Sequence, residues 1–216
     1  MFRFKLLNET KKLNILCLGA HSDDIEIGCG GTILRLINEL DVLKFCWVVF
    51  SGNSKRANEA QKSAAVFLKD VQSKTISVRN YQESYFPFIG DKIKNYFEKL
   101  KTEFSPDVIF THYMNDAHQD HRLISNLTWN TFRDHLILEY EIPKYDGDLV
   151  TPNFYVYLDK TTVQRKIKFI CDNFNSQKER SWFDEETFRS ILRIRGLESN
   201  SPSKYAEAFH CRKLVL

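Results

Sequence analysis

Residues 13–32 of the chain read LNILCLGAHSDDIEIGCGGT, an apolar run followed by a group of polar residues and glycines. Its first six residues form a short apolar run followed by small residues and glycines, which is the pattern of a buried β-strand. One imidazole and two adjacent carboxylates, those of His21, Asp23 and Asp24, come directly after the run. Because ligands bind at the carboxyl ends of strands in open α/β sheets, we expect a functional site here.

A second polar cluster, NDAHQDHR at residues 115–122, follows another short apolar run at residues 107–111. Three of the six histidines lie between residues 112 and 121, which random placement would rarely produce. An isolated histidine or pair of aspartates in a loop is usually a helix cap or a solvated turn. Two such clusters at two predicted strand ends instead favour one active site that is divided between them.

The rest of the N-terminal half alternates strand-like and helix-like stretches. Strands are predicted at residues 14–20, 43–50, 73–78 and 108–111, and helices at about 31–39, 53–68, 90–104 and 119–132. This alternation predicts βαβ units and a mostly parallel sheet. The C-terminal part is less regular, with strands predicted at 137–142 and 154–158 and helices at 162–174 and 185–195. Since the chain shows no repeats and no low-complexity linker, we expect a single domain over residues 1–216.

Composition narrows the function class. The chain is 43% apolar and 27% charged, as in ordinary soluble globular proteins, and its net charge of +3 indicates neither a nucleic-acid nor a membrane partner. The five cysteines show no CxxC spacing, which favours a reducing, cytoplasmic compartment. The first twelve residues lack the apolar core of a secretory signal, and no apolar run approaches the ~18 residues of a membrane span. P-loop and GxSxG nucleophile motifs are also absent from the sequence.

The histidines and aspartates of the two clusters suit a metal site. His21, Asp24 and His121 would supply the three His and carboxylate ligands that catalytic zinc commonly takes, leaving one position open for water. Asp23 stays free beside them and could act as general base for attack on a carbonyl. Zinc is the predicted cofactor, although His and carboxylate ligands also suit iron and cobalt.

The second cluster offers further groups for the same pocket. His118 and His121 are three residues apart, so on a helical turn they share one face. One can bind metal while the other polarises the substrate or protonates a leaving amine. Asp120 could orient one of these two imidazoles and so fix its tautomer. We expect His112, at a predicted strand end, to be structural or solvated, and Cys29 to be a small buried residue.

The stretches AHSDD at residues 20–24, GGT at 30–32 and HQDHR at 118–122 resemble the PIG-L/LmbE-like zinc-dependent de-N-acetylases. The resemblance covers about residues 13–132, with a further match at YAEAF, residues 205–209. It implies a Rossmann-like, three-layer α/β fold and removal of acetyl groups, mostly from N-acetylglucosamine-type sugars. Matched by position, it implies His21, Asp24 and His121 as zinc ligands, Asp23 as general base, His118 as oxyanion stabiliser or acid, Asp120 as the orienting partner of His118, and Arg56 as a substrate-facing side chain.

Some features depart from the family pattern or allow two interpretations. Ser22 stands where the family usually has proline, which mainly stiffens the turn. The glycines of residues 28–31 fail the GxGxxG pattern, and we expect them to permit a tight turn close to the metal site. The aromatic stretch at residues 81–88 either lines the pocket and stacks on a sugar or belongs to the core. The stretch at 205–209 either packs a C-terminal strand onto the domain or contacts substrate.

We therefore expect a zinc hydrolase that removes an N-acetyl group from a small-molecule amino sugar, with a nucleotide-linked sugar for surface glycan synthesis as one candidate. One alternative is hydrolysis of another N-acyl amide, on a glycoside or a thiol conjugate. A second alternative, from another class, is a catalytically silent sugar- or nucleotide-binding module with the same fold. Family members are often oligomeric, so a homo-oligomer is compatible with the resemblance, although no segment of the sequence marks an interface.

Overall fold

A computed structural model describes residues 12–40 and 42–215, and within them the chain forms seven strands and six α-helices. Nearly all of the N-terminal stretch for which no secretory signal is predicted lies outside the described residues. The strands are β1 Leu13–Gly19, β2 Val42–Val49, β3 Lys74–Val78, β4 Val108–His112, β5 Leu136–Tyr140, β6 Phe154–Tyr157 and β7 Ala206–Cys211. The helices are α1 Asp24–Glu39, α2 Ser54–Phe67, α3 Gly90–Glu103, α4 Gln119–Thr131, α5 Lys160–Asn173 and α6 Glu185–Glu198.

The strands form one mostly parallel sheet in the order β3-β2-β1-β4-β5-β7-β6. Strand β1 pairs in parallel with β2 on one side and with β4 on the other, and β7 pairs antiparallel with both β5 and β6. The strand order therefore reverses between β1 and β4. In doubly wound α/β sheets the crevice at such a reversal is where ligands bind, and both polar clusters follow these two strands.

Helices cover both faces of the sheet, which confirms the predicted three-layer α/β fold. Alternate residues of β1 belong to different cores because successive side chains of a strand point to opposite faces. Ile15 and Cys17 pack in the larger core, to which α1, α2, α5 and α6 contribute, whereas Leu16 and Leu18 pack in the core with α3 and α4. None of the described helices is both long enough and apolar enough to cross a bilayer.

Helix α1 begins earlier than the sequence predicts. It starts at Asp24 rather than near residue 31, so the glycines of residues 28–31 lie inside the helix and not in a turn. The reason is packing: a Cβ at Gly28 would lie 2.2 Å from the Tyr140 ring, and one at Gly31 would lie 2.5 Å from Leu158 Cδ1. As a consequence Asp24 occupies the first residue of a helix, where the helix dipole favours a negative charge.

The stretch at residues 205–209 packs against the middle of α1. Glu207 of β7 accepts hydrogen bonds from the backbone N–H groups of Gly31 and Thr32, at 2.8 and 2.6 Å. The Lys166 ammonium of α5 donates to Glu207 Oε1 and to the Ile27 carbonyl, both at 2.6 Å. The Ile27 carbonyl and the Gly31 N–H, four residues apart in α1, each form a hydrogen bond with a side chain, that of Lys166 and that of Glu207. These contacts support the packing interpretation of this stretch.

Candidate active site

Three predicted site residues meet where β1 and β4 end. His21 follows β1, Asp24 begins α1, and His121 lies in the first turn of α4. His21 Nδ1 lies 3.1 Å from His121 Nε2, and the Asp24 carboxylate lies 3.5 Å from His21 Nδ1 and 3.6 Å from His121 Nε2. All three side chains are buried. The two contacts use different oxygens of Asp24: Oδ2 lies near His21 Nδ1 and also accepts from the His21 backbone N–H at 2.6 Å, while Oδ1 lies near His121 Nε2. Residues separated by a hundred positions in the chain thus bring two imidazoles and a carboxylate together.

These separations fit a tetrahedral cation. Ligand atoms about 2.0–2.1 Å from a tetrahedral zinc ion lie roughly 3.3 Å from one another, which is close to the 3.1 Å between His21 Nδ1 and His121 Nε2. Two overlapping residue sets place their ligand atoms within 4.8 Å of one another. One set consists of His21, His118 and His121, and the other of Asp24, His112 and His121. The predicted set of His21, Asp24 and His121 is neither of these, although it shares two members with each, so it stays a prediction.

The rings of His21 and His121 each contact a carboxylate through the nitrogen that points away from the other ring. Asp120 Oδ2 lies 3.2 Å from His21 Nε2, and Asp116 Oδ2 lies 3.0 Å from His121 Nδ1. The resemblance implies Asp120 as the partner of His118, but the Asp120 carboxylate contacts His21, and only the Asp120 backbone N–H contacts His118. The reason is that Asp120 lies one residue before His121 on α4, where its side chain reaches the end of β1, and that relation appears only when the chain is folded. Asp116 was not predicted as a site residue.

His118 is the N-cap of α4, and its ring faces the same pocket. Its Nδ1 accepts a hydrogen bond from the Asp120 backbone N–H at 3.2 Å, so a neutral ring carries its proton on Nε2. The ring stacks on His121 with centroids 4.7 Å apart and meets His21 edge-on at 4.8 Å. Burial, followed by the charge of His21, lowers the His118 pKa. A neutral imidazole with its proton on Nε2 is a hydrogen-bond donor at the pocket.

Asp23 lies at the N-cap of α1, yet its side chain forms no cap bond with the described backbone. Its Oδ1 lies 3.6 Å from Nη2 of Arg56, and Arg56 Nε donates to Ser22 Oγ at 3.0 Å. The structure thus brings Arg56 to the pocket as the resemblance implies. Burial and then the charge of Asp24 raise the Asp23 pKa to about 6, against the opposing effect of Arg56. A carboxylate with this pKa can accept a proton near neutral pH.

His112 at the end of β4 is part of the cluster, whereas the sequence analysis expected a structural or solvated residue. It is fully buried, stacks on His121 with centroids 3.9 Å apart, and places Nε2 3.2 Å from Asp24 Oδ2. The same Nε2 accepts a hydrogen bond from the Ala20 N–H at 2.9 Å, which ties β4 to the end of β1. Burial makes the solvated interpretation wrong, while the structural role stays a prediction, because His112 also belongs to one of the two candidate ligand sets. A signal was present in the sequence, because His112 ends the strand next to β1.

The electrostatics of the cluster favour a positive charge between the carboxylates. Although burial acts against its charged form, Asp24 and Asp120 raise the pKa of His21 to about 10. Burial and the neighbouring His112 lower the pKa of His121 to about 3, which keeps this ring neutral as a metal ligand must be. Asp24 and Asp120 thus stabilise a positive charge at His21, and a bound cation would take the place of the ring proton, because a ligating imidazole is neutral. The donor set and its charge are suited to a divalent cation.

The sequence allowed the aromatic residues of 81–88 either to line the pocket or to belong to the core. Phe86 is fully buried in the core with α3 and α4, and its ring centroid lies 6.1 Å from that of His21. Tyr85 and Phe88 are 50% and 76% exposed, with ring centroids 6.1 Å apart. Phe86 therefore belongs to the core beside the site, while two rings of the same stretch face solvent.

Comparison with known proteins gives the family. The sequence model described as GlcNAc-PI de-N-acetylase, PIG-L, matches residues 16–132, more than half of the chain. The chain belongs to the PIG-L family. The matched segment includes both polar clusters and the strands that carry them. One curated relative of this PIG-L protein is the uncharacterized deacetylase YaiS of Escherichia coli strain K12. The two sequences are 29% identical over 148 residues, which are 64% of this chain and 78% of that protein.

Solved structures share the fold at low identity. The N,N'-diacetylchitobiose deacetylase of Pyrococcus horikoshii superposes with a TM-score of 0.69 at 22% identity, over 96% of this chain and 87% of that chain. GalB of Pseudomonas putida KT2440, a 4-carboxy-2-hydroxymuconate hydratase, superposes with a TM-score of 0.72 at 15% identity, over 95% and 98%. Since a deacetylase and a hydratase both have this fold, the reaction of this PIG-L protein must be argued from its site.

Proposed function

We propose that the chain is a zinc-dependent N-deacetylase that hydrolyses the acetamide of an amino sugar to acetate and a free amine. The proposal rests on the closeness of His21, Asp24 and His121, whose side-chain nitrogen and oxygen atoms lie 3.1–3.6 Å apart. Beside them lies the carboxylate of Asp23, which makes no capping hydrogen bond to α1. Membership of the PIG-L family supports the reaction class.

His21, Asp24 and His121 would hold the metal. When bound, zinc would polarise the acetamide carbonyl as a Lewis acid and lower the pKa of a water molecule. Asp120 and Asp116 orient the rings of His21 and His121 through the contacts given above, and such partners strengthen the basicity of a ligating imidazole.

Asp23 is the proposed general base. With a pKa raised to about 6, its carboxylate can take a proton from the attacking water as the C–O bond forms. The same proton can pass to the nitrogen of the departing amine when the C–N bond breaks. His118 is placed to donate a hydrogen bond from Nε2 to the carbonyl oxygen, where negative charge develops in the transition state. Arg56 would bind the sugar beside Asp23.

Two other interpretations are less well supported. Hydrolysis of another N-acyl amide would use the same groups, and the substrate panel below separates it from amino-sugar deacetylation. A catalytically silent binding module has no use for a buried, uncapped carboxylate such as Asp23 next to the metal ligands. We place the enzyme in the cytoplasm, because all five cysteines are free thiols, which suits a reducing compartment.

Acetate release tests the proposal. The panel contains N,N'-diacetylchitobiose, N-acetylglucosamine and UDP-N-acetylglucosamine, the last as the nucleotide-linked candidate for surface glycan synthesis. Zinc-loaded protein, chelated protein and the Asp23→Asn variant are compared. Release that requires both metal and Asp23 supports the mechanism. Release by chelated protein would refute the metal, and zinc binding without release from any sugar would point to other N-acyl amides.

A further inference from the structure

The two cations that contact site carboxylates are each shared between two acidic side chains. Arg56 of α2 donates from Nη1 to Glu83 Oε2 at 2.6 Å, while its Nη2 lies 3.6 Å from Asp23 Oδ1. Lys144, after β5, donates to Asp116 Oδ2 at 2.9 Å and to Asp148 Oδ2 at 2.6 Å. On both flanks of the β1–β4 crevice, one positive charge is matched by two negative charges.

Glu83 is the most exposed member of these groups. Its side chain is 42% exposed, whereas the Arg56 side chain that it contacts is 12% exposed, so Glu83 is the more solvent-accessible partner of this ion pair. Its negative charge also reaches into the cluster, where it helps to raise the pKa of His21. A ligand group that binds at Arg56 is therefore close to the negative charge of Glu83.

The backbone around Glu83 is fixed to the site. Ser84 has a left-handed φ of 67°, a conformation that a non-glycine residue keeps only when its surroundings enforce it. Here the N–H groups of Ser84 and Phe86 donate to the two oxygens of Asp120, at 2.6 and 3.1 Å, and Gln119 Nε2 donates to the Ser84 carbonyl. The position of Glu83 beside Arg56 is thus set by the same carboxylate that orients His21.

We propose that Glu83 is a specificity-determining residue that disfavours anionic groups at Arg56, so that the substrate is an uncharged N-acetylhexosaminide rather than a nucleotide-linked sugar. This inference rests on the proposed deacetylase function. A diphosphate beside Arg56 would face like charge from Glu83 and Asp23, and such a repulsive element is a common way to reject a competing ligand. Sugar hydroxyls meet no such penalty, since they can donate to Glu83 and accept from the remaining guanidinium N–H groups.

The test compares kcat/KM for acetate release from N,N'-diacetylchitobiose, which is neutral, and from UDP-N-acetylglucosamine, which is anionic. We expect the unaltered protein to prefer the neutral substrate. Glu83→Gln keeps an oxygen that can accept from Arg56 but removes the charge. It should shift the ratio of the two kcat/KM values by about tenfold toward the anionic substrate, mainly through KM. Glu39→Gln is the matched control, because Glu39 pairs with Arg35 at the far end of α1 and should leave the ratio unchanged.

A second measurement needs no variant. Raising the ionic strength screens charges that solvent can reach, so the preference of the unaltered protein for the neutral substrate should narrow in high salt. Preference for the UDP-sugar, or an unchanged ratio both in folded Glu83→Gln and in high salt, would overturn the inference while the acetate released still supports the proposed function. Absence of acetate from every substrate with zinc bound would instead overturn the proposed function, and the inference with it.

Discussion

Helix α1 contacts two clusters of buried charge, one at its first residue and one at its middle, and they are built differently. At the N-terminal end, lone-pair atoms of His21, Asp24 and His121 face one another at 3.1–3.6 Å. At the middle, both carboxylate oxygens of Glu207 accept from backbone N–H groups, and Oε1 also accepts from Lys166. In the first cluster two ring nitrogens face each other and only Oδ2 of Asp24 accepts from a backbone N–H, that of His21, whereas in the second cluster both carboxylate oxygens accept from backbone N–H groups.

This difference separates a functional cluster from a structural one. Buried charges are costly unless they are paired and hydrogen-bonded, and the Glu207–Lys166 pair meets that requirement within the protein. Next to Asp24 the protein leaves one atom without a partner: His112 Nδ1 is buried with no hydrogen bond to any described group. We expect substitutions in the first cluster to remove metal and catalysis, and substitutions in the second to remove stability alone.

The largest effect is expected from His121→Ala. Loss of one ligand should release zinc and lower kcat by about a thousandfold or more, since the metal supplies several kcal/mol of transition-state stabilisation. Zinc content by metal analysis and acetate release together check this. The matched control is His135→Ala. This partly exposed histidine directly precedes β5, so it lies at the amino end of a parallel strand, away from the carboxyl ends where the site lies. Retained zinc and full activity in His121→Ala would remove His121 from the proposed ligand set.

Asp23→Asn should separate the two roles of the first cluster, because it should lower kcat without changing zinc binding. The amide keeps the size of the side chain but cannot accept the proton of the attacking water, so kcat should fall by about 10²–10⁴-fold. Zinc content should stay at the level of the unaltered protein, because Asp23 is not among the three proposed ligands. Unchanged kcat in this variant would assign the general base to another group.

Lys166→Met tests the structural cluster. It leaves the Glu207 carboxylate buried without its cation, which typically costs about 3–5 kcal/mol of the free energy of unfolding. Denaturant titration would measure the loss, and zinc content and kcat of the folded variant should not change. Adding Glu207→Gln to this variant should recover part of the stability, because no unpaired charge then remains. A loss of zinc in folded Lys166→Met would contradict the division between the two clusters.

The smallest effect is expected from Ser22→Ala, at the border of the first cluster. It removes the hydroxyl that accepts from Arg56 Nε, a hydrogen bond whose net contribution is of the order of 0.5–1.5 kcal/mol. KM for N,N'-diacetylchitobiose should rise a few fold with little change in kcat or zinc content. A large fall in kcat would show that this contact also positions Asp23.

The sequence predicts much of the fold because local patterns carry it. Apolar runs and helical periodicity locate the predicted strands and helices within a few residues, but α1 is an exception. Glycine weakens helices locally, so the glycines of residues 28–31 indicate a turn. Packing reverses this preference, since the Tyr140 ring and the Leu158 side chain leave no room for a Cβ at Gly28 and Gly31. Those neighbours lie more than a hundred residues away along the chain.

The candidate site likewise has a part that local sequence patterns predict and a part that depends on the folded chain. The sequence alone determined that His21, Asp24 and His121 follow two strands, because residue types and strand ends can be identified locally and parallel strands bring their carboxyl ends to one edge. Only the folded chain shows that Asp120 contacts His21, that His112 stacks on His121, and that Glu83 pairs with Arg56. Such pairings depend on helix rotation and loop conformation, which are set by packing between segments far apart in the chain.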